Sequence, residues 1–137
     1  MIAKQPAPLI ISVLNYHLDG YAHVNNARYL EFLEAARGHF FAEHNLLPDL
    51  RLAQLVVSRA DIRYRKAACL GDVLHIHSQI SSLQSRQIVL SQRIEFADTQ
   101  QICATADITL MPTSANGKMC RLPDALLLYL TNLMESS

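Results

Sequence analysis

Past its first helix, the hydrophobic positions of this chain change from a helical to an extended period. Leu9-Ile10-Ile11-Ser12-Val13-Leu14 is a short run rich in β-branched residues and reads as a strand, followed by a polar loop from Asn15 to His23. After Asn25-Asn26, apolar or aromatic residues fall at positions 29, 32, 33, 36 and 40, the spacing of one helix face. Asn25 is the expected N-cap. The helix is expected to run to about Asn45, with Pro48 beyond its end, where a proline removes no helical hydrogen bond. Leu30, Ala35 and Phe41 lie outside the main stripe, so the helix is expected to be wrapped on several sides.

Past this helix the period falls to 2. Val56, Ser58, Ala60, Ile62 and Tyr64 share one face of a half-buried strand, with Val57, Arg59, Asp61, Arg63 and Arg65 opposite. Gly71-Asp72 opens a run that aligns Leu74, Ile76 and Ile80. Another run spans Ile88 to Phe96, and a last one places Ile102, Ala104, Ala106, Ile108 and Leu110 on one face. The connections Leu83-Gln84-Ser85-Arg86 and Ala97-Asp98-Thr99-Gln100 are too short for helical crossovers, which predicts an antiparallel sheet. Asn116-Gly117 signals a type I′ turn, and Pro123-Asp124 opens a terminal helix through Leu126, Tyr129, Leu130, Leu133 and Met134. These elements predict an α+β hot-dog fold: a curved antiparallel β-sheet wrapped around one long central helix, plus a C-terminal helix.

Composition narrows the function classes. The 137 residues suit one domain, 1–137, and half of them are hydrophobic, enough for a sizeable core. Twelve basic and twelve acidic residues cancel without a basic block, which argues against nucleic acid or an anionic membrane surface as partner. No stretch approaches the roughly 18 apolar residues of a spanning helix, and residues 1–6 have no long apolar core after their lysine, so a cytoplasmic protein without membrane insertion is expected. Cys69, Cys103 and Cys120 show no metal or disulfide spacing and read as inert thiols.

Candidate chemistry is concentrated in residues 16–37, Y-H-L-D-G-Y-A-H-V-N-N-A-R-Y-L-E-F-L-E-A-A-R. A carboxylate, then His-Val-Asn-Asn at a helix start, then Tyr, Glu and Arg in one helix resembles the signature of the 4-hydroxybenzoyl-CoA thioesterase superfamily, and within it the bacterial long-chain acyl-CoA thioesterases. The likeness continues more loosely through V-V-S-R-A-D-I-R-Y-R-K-A-A, residues 56–68, and Gly71-Asp72. It implies hydrolysis of a medium- to long-chain acyl-CoA to free acid and CoA, with no cofactor and no metal, by a homodimer or homotetramer whose site lies at a subunit interface. The superfamily's carboxylate falls on Asp19, its polarising backbone N–H on Asn26, and its histidine, in an auxiliary role, on His23. Tyr16, Asn25 and Tyr29 are expected to contact substrate, and Arg65 and Lys66 to stand near the CoA phosphates. The chain departs from the commoner superfamily pattern in placing Gly20 directly after Asp19 and Ala22 before His23, where many members have glycine, and Ala67-Ala68 where a proline often follows the basic strand end.

Physical chemistry gives this pattern sense. A helix start offers unpaired N–H groups and the positive end of a macrodipole, which polarise a thioester carbonyl as negative charge develops. Asp19 is then placed to attack the carbonyl carbon or to activate water. Each residue also has a plainer reading. Asp19 suits a turn, His23 a backbone hydrogen bond, Glu31, Glu34 and Arg37 helix-surface pairs, and the row of Arg59, Arg63, Arg65 and Lys66 a solvated strand face. His75 and His77 share a strand face but bring no third ligand. Three other functions fit the same motif: acyl carrier protein thioesterase, hot-dog dehydratase, and non-catalytic acyl-CoA binder.

Overall fold

The computed structural model describes residues 7–136, so the segment read for a leader, residues 1–6, lies outside the described residues. Strand β1 (Leu9–Ser12) leads through a 3-10 turn (Asn15–His17) to the long helix α1 (Asn26–Glu43) and a short helix α2 (Leu47–Ala53). Four strands follow, β2 (Leu55–Tyr64), β3 (Val73–Gln84), β4 (Gln87–Phe96) and β5 (Ile102–Pro112), and then α3 (Asp124–Ser136). The five strands form one sheet in the order β1-β3-β4-β5-β2, antiparallel throughout. This curved sheet against α1 is the hot-dog architecture that the periodicity predicted.

Alternation along β4 and β5 builds the core. Ile88, Leu90, Ile94 and Phe96 on β4, and Ala104, Ala106, Ile108 and Leu110 on β5, are buried on one sheet face with Leu74 and Ile76 of β3. Tyr29, Phe32, Leu33, Ala36, Phe40 and Phe41 of α1 join the same cluster. Burying an aliphatic side chain of this size contributes about 1.5 to 3 kcal/mol. Leu126 and Leu130 of α3 belong to it as well. The opposite side of α1, with Leu30 and Ala35, is exposed, so one copy of the sheet covers α1 on one side rather than several.

Three local expectations need correction. Pro48 does not merely follow α1: it stands in the first turn of α2, where its missing N–H is harmless. The αL residue Gln54 (φ 49°) then ends α2.

In β2 the register shifts between Val57 and Arg59, leaving Ser58 as a bulge. Val57 and Leu55, opposite Leu110 and Pro112, therefore share the α1-facing side with Ala60, Ile62 and Tyr64. Val56, opposite Met111, does not. None of the ten β2 residues is buried, because β2 is an edge strand.

The hairpin near Asn116 is also of another type. Gly117 N–H donates to the Ser114 carbonyl (2.9 Å), and in this turn only Gly117 has positive φ (78°). A type I′ turn needs positive φ at both central residues, so this is a type I turn closed by a left-handed glycine.

Candidate active site

The loop before α1 is held at both ends by His17. Its Nδ1 accepts the Leu14 N–H (2.9 Å), its carbonyl accepts the Asn25 N–H (2.9 Å), and its buried ring meets Phe32 edge-on with centroids 4.9 Å apart. Burial, and then the nearby Arg28, hold the His17 pKa below its ordinary value, which keeps the ring neutral and Nδ1 an acceptor. Within the loop, Asp19 N–H donates to the His23 carbonyl (2.8 Å). Asp19 Oδ1 accepts the N–H of Tyr21 (2.8 Å) and, at longer range, of His23 (3.3 Å). The carboxylate is thus fixed by an Asx turn. Ala22 takes a left-handed conformation (φ 62°), which explains why glycine is usual there in the resembled superfamily.

Asn25 caps α1 as expected. Its Oδ1 accepts the Ala27 N–H (2.9 Å) and its carbonyl the Arg28 N–H (2.9 Å). The N–H of Asn26, at the first helical position, has no acceptor among the described hydrogen bonds. It is a free donor at the positive end of an 18-residue helix.

The facing wall is strapped to this helix start. The Val24 N–H donates to the Ala68 carbonyl (2.9 Å), and His23 forms a β-bridge with Cys69. The Ala68 N–H donates to the Tyr29 hydroxyl (3.1 Å), whose ring lies 5.3 Å from that of Tyr64. Desolvation pushes the Tyr29 pKa well above the usual phenol range, so the hydroxyl stays protonated at neutral pH.

The result is a cavity of about 360 Å³ between loop, helix start and the end of β2. Asp19, His23, Asn25, Asn26, Tyr29, Arg65 and Lys66 all line it. Tyr16 does not: it is 64% exposed, its ring tilted against that of His17 with the Arg28 guanidinium 5.5 Å above it. Tyr64 and Ala67 line the cavity although sequence reasoning passed over them. Tyr64 could have been found as the last aromatic of an alternating strand just before Arg65-Lys66. Lys66 Nζ donates to Gln101 Oε1 (3.2 Å) and lies 5.0 Å from the Phe96 ring.

The other polar candidates separate from the cavity. Glu31 pairs with Arg28 on the α1 surface (2.9 Å), and His77 pairs with Glu95, which also holds Arg93. Arg37 reaches inward to Gln92 Oε1 (3.2 Å), while Gln92 Nε2 donates to the Leu33 carbonyl and Ser78 Oγ (both 3.0 Å). Gln92 went unnoticed, yet it is the one polar interruption of the apolar row Ile88, Leu90, Ile94, Phe96. Among the described residues no three His, Cys, Asp or Glu side chains converge as a metal site, the three cysteines are free, and no helix is long and apolar enough to cross a membrane.

A thioesterase-like superfamily profile matches residues 13–130, which hold the whole cavity. The chain belongs to the thioesterase-like superfamily. Within that superfamily it is 41% identical over 110 residues to the long-chain acyl-CoA thioesterase FadM of Escherichia coli, covering 74% of this chain and 78% of FadM. It is 36% identical over 76 residues to the acyl-CoA thioesterase YbgC of Helicobacter pylori, covering 56% of this chain and 57% of that one. The crystal structure of YbaW, a probable thioesterase from Escherichia coli, superposes with a TM-score of 0.77 at 35% identity, over 93% of this chain and 98% of YbaW. A Thermus thermophilus thioesterase complexed with coenzyme A and zinc shares the fold, with a TM-score of 0.83 at 22% identity over 97% of this chain and 98% of that one.

Proposed function

We propose that the protein hydrolyses medium- to long-chain acyl-CoA thioesters to the free acid and CoA, as a homo-oligomer with the cavity at a subunit seam. The observation that carries this reading is that Asn26, whose N–H has no acceptor among the described hydrogen bonds, lines the same cavity as Asp19. The names of FadM and YbgC support acyl-CoA as the substrate class.

The chemistry follows from the groups present. The thioester oxygen accepts the Asn26 N–H, and the helix dipole stabilises the charge that develops there. Asp19 either attacks the carbonyl carbon, giving an anhydride that water then opens, or takes a proton from a water that attacks directly. In both routes the C–S bond breaks, the thiolate of CoA leaves, and one water is consumed. His23 stands beside Asp19 to orient water or thioester, and Asn25 fixes the donor by capping the helix. Tyr29 holds the opposite wall, and the exposed Arg65 and Lys66 offer cations to the CoA phosphates at the cavity mouth.

Thiol release from acyl-CoAs of graded length tests the proposal. Asp19→Asn is expected to lower kcat/KM about a hundredfold or more with the fold retained. Unchanged turnover in that variant excludes Asp19 as the acting carboxylate. No thiol release from the wild type favours a dehydratase or a binding protein, and release from acyl carrier protein alone favours the carrier-linked reading.

A further inference from the structure

His17 closes the turn before the Asp19 loop and anchors the residue after it. Its N–H donates to the Leu14 carbonyl (3.0 Å) while its Nδ1 accepts the Leu14 N–H (2.9 Å), so backbone and side chain close the same turn. Its carbonyl accepts the Asn25 N–H (2.9 Å), and the antiparallel bridge between Leu18 and Val24 carries that pairing on into the loop. The ring is buried edge-on against Phe32 of α1. Asn25 in turn sets the helix start: its Oδ1 takes the Ala27 N–H and leaves that of Asn26 without an acceptor among the described hydrogen bonds.

This arrangement requires a neutral ring. A backbone N–H can only donate, so the bond from Leu14 needs a lone pair on Nδ1, with the ring proton on Nε2. Protonation sets two donors against each other and charges a buried group. Of the charged or titratable groups that face the ring, α1 supplies Arg28 and Glu31 and the turn supplies Tyr16, while residues 9–15 carry no charge. Glu31, the one carboxylate among them, is engaged by Arg28 at 2.9 Å. A charged His17 therefore meets a cation and an anion already paired, and the turn must open to hydrate it.

We infer that His17 is a positioning residue for hydrolysis: its neutral ring holds Asn25, and through it the Asn26 N–H, where the thioester oxygen accepts it, and protonation of the ring releases both. This rests on the thioesterase reading above and adds to it a switch that turns the site off in acid. His17 does not line the cavity, so it acts through Asn25 rather than on the substrate. A misplaced donor costs stabilisation of the transition state, whereas Arg65 and Lys66, on another segment, hold CoA as before. The loss therefore falls on kcat more than on KM. Burial, and then Arg28, lower the folded-state pKa, so the site is whole above about pH 6.5 and fails as pH drops below that value.

Release of free CoA from palmitoyl-CoA, followed chromatographically between about pH 8 and about pH 5, tests the switch, with circular dichroism at each pH to refer every rate to folded protein. The wild type is expected to lose kcat below about pH 6.5. His17→Phe keeps a ring against Phe32 but offers no acceptor, and is expected to lower kcat about tenfold or more at every pH while KM changes less than about threefold. His17→Asn keeps an acceptor that does not titrate; it is expected to restore kcat to within about fivefold of wild type at about pH 8 and to lose the acid limb. His23→Asn, altered inside the cavity, is expected to be slower yet to keep that limb, which separates the two histidines. An acid limb unchanged in His17→Asn, or a kcat for folded His17→Phe equal to that of the wild type, overturns the inference. A wild type that releases no CoA from any acyl-CoA defeats the thioesterase reading itself, a result distinct from an unmoved pH profile.

Discussion

The Tyr29 hydroxyl accepts the N–H of Ala68 at 3.1 Å, tying the first turn of α1 to a segment 39 positions further along the chain. Ala68 is fully buried, so this N–H has no solvent to fall back on. Tyr29→Phe is expected to lower stability by about 1 to 3 kcal/mol, the cost of an orphaned buried donor. It should also raise KM for acyl-CoA more than it lowers kcat, because Arg65 and Lys66 hang on the same segment. Urea unfolding and steady-state kinetics check the two effects separately, and unchanged unfolding midpoints would contradict the first.

Gln92 bridges Arg37, Ser78 and the Leu33 carbonyl inside the core. Gln92→Leu leaves the half-buried guanidinium without its amide acceptor, and a loss of about 2 to 4 kcal/mol is expected. Removing both partners in Arg37→Leu with Gln92→Leu should recover part of that loss, a coupling measurable in a double-mutant cycle. Strict additivity of the two single changes rules out the bridge as an energetic unit.

Protonation of His17 must break its acceptor bond to Leu14. Burial lowers the folded-state pKa below the ordinary value of about 6.5, so the unfolded chain binds this proton more readily. The stabilising contribution is therefore complete above about pH 6.5 and is lost as pH falls through that value toward the folded-state pKa. His17→Asn keeps an acceptor near the Nδ1 position but cannot titrate there. Between about pH 8 and about pH 5.5 the variant should lose less stability than the wild type; parallel pH curves would count against this role for His17.

Ala22 holds a left-handed backbone that opposes an L side chain by about 1 to 2 kcal/mol. Glycine removes this strain while loosening the unfolded chain by about 0.5 to 1 kcal/mol. Ala22→Gly is expected to stabilise the protein by about 0.5 to 1 kcal/mol net, read as a raised melting temperature; a lower one would show that the alanine methyl packs usefully.

Sequence by itself determined the elements and the ingredients of the site. Period 3.6 marked α1, period 2 the strands, and short connectors an antiparallel sheet, because each signal is local and repeats many times. Asn25 as cap was equally legible, since capping involves only neighbours in the chain. Tertiary structure alone decided which faces are buried and which groups meet. The bulge at Ser58 moved Val57 to the α1 side, a half-turn of the strand that depends on pairing with β5 and leaves no mark in the alternation. The meeting of Asn26 with Arg65 and Lys66 across one cavity arises likewise from packing, because residues some forty positions apart are brought together only when the sheet folds onto α1. Gln92 shows the same division: its type stood out in an apolar row, while its partners on α1 came from the packing of helix on sheet.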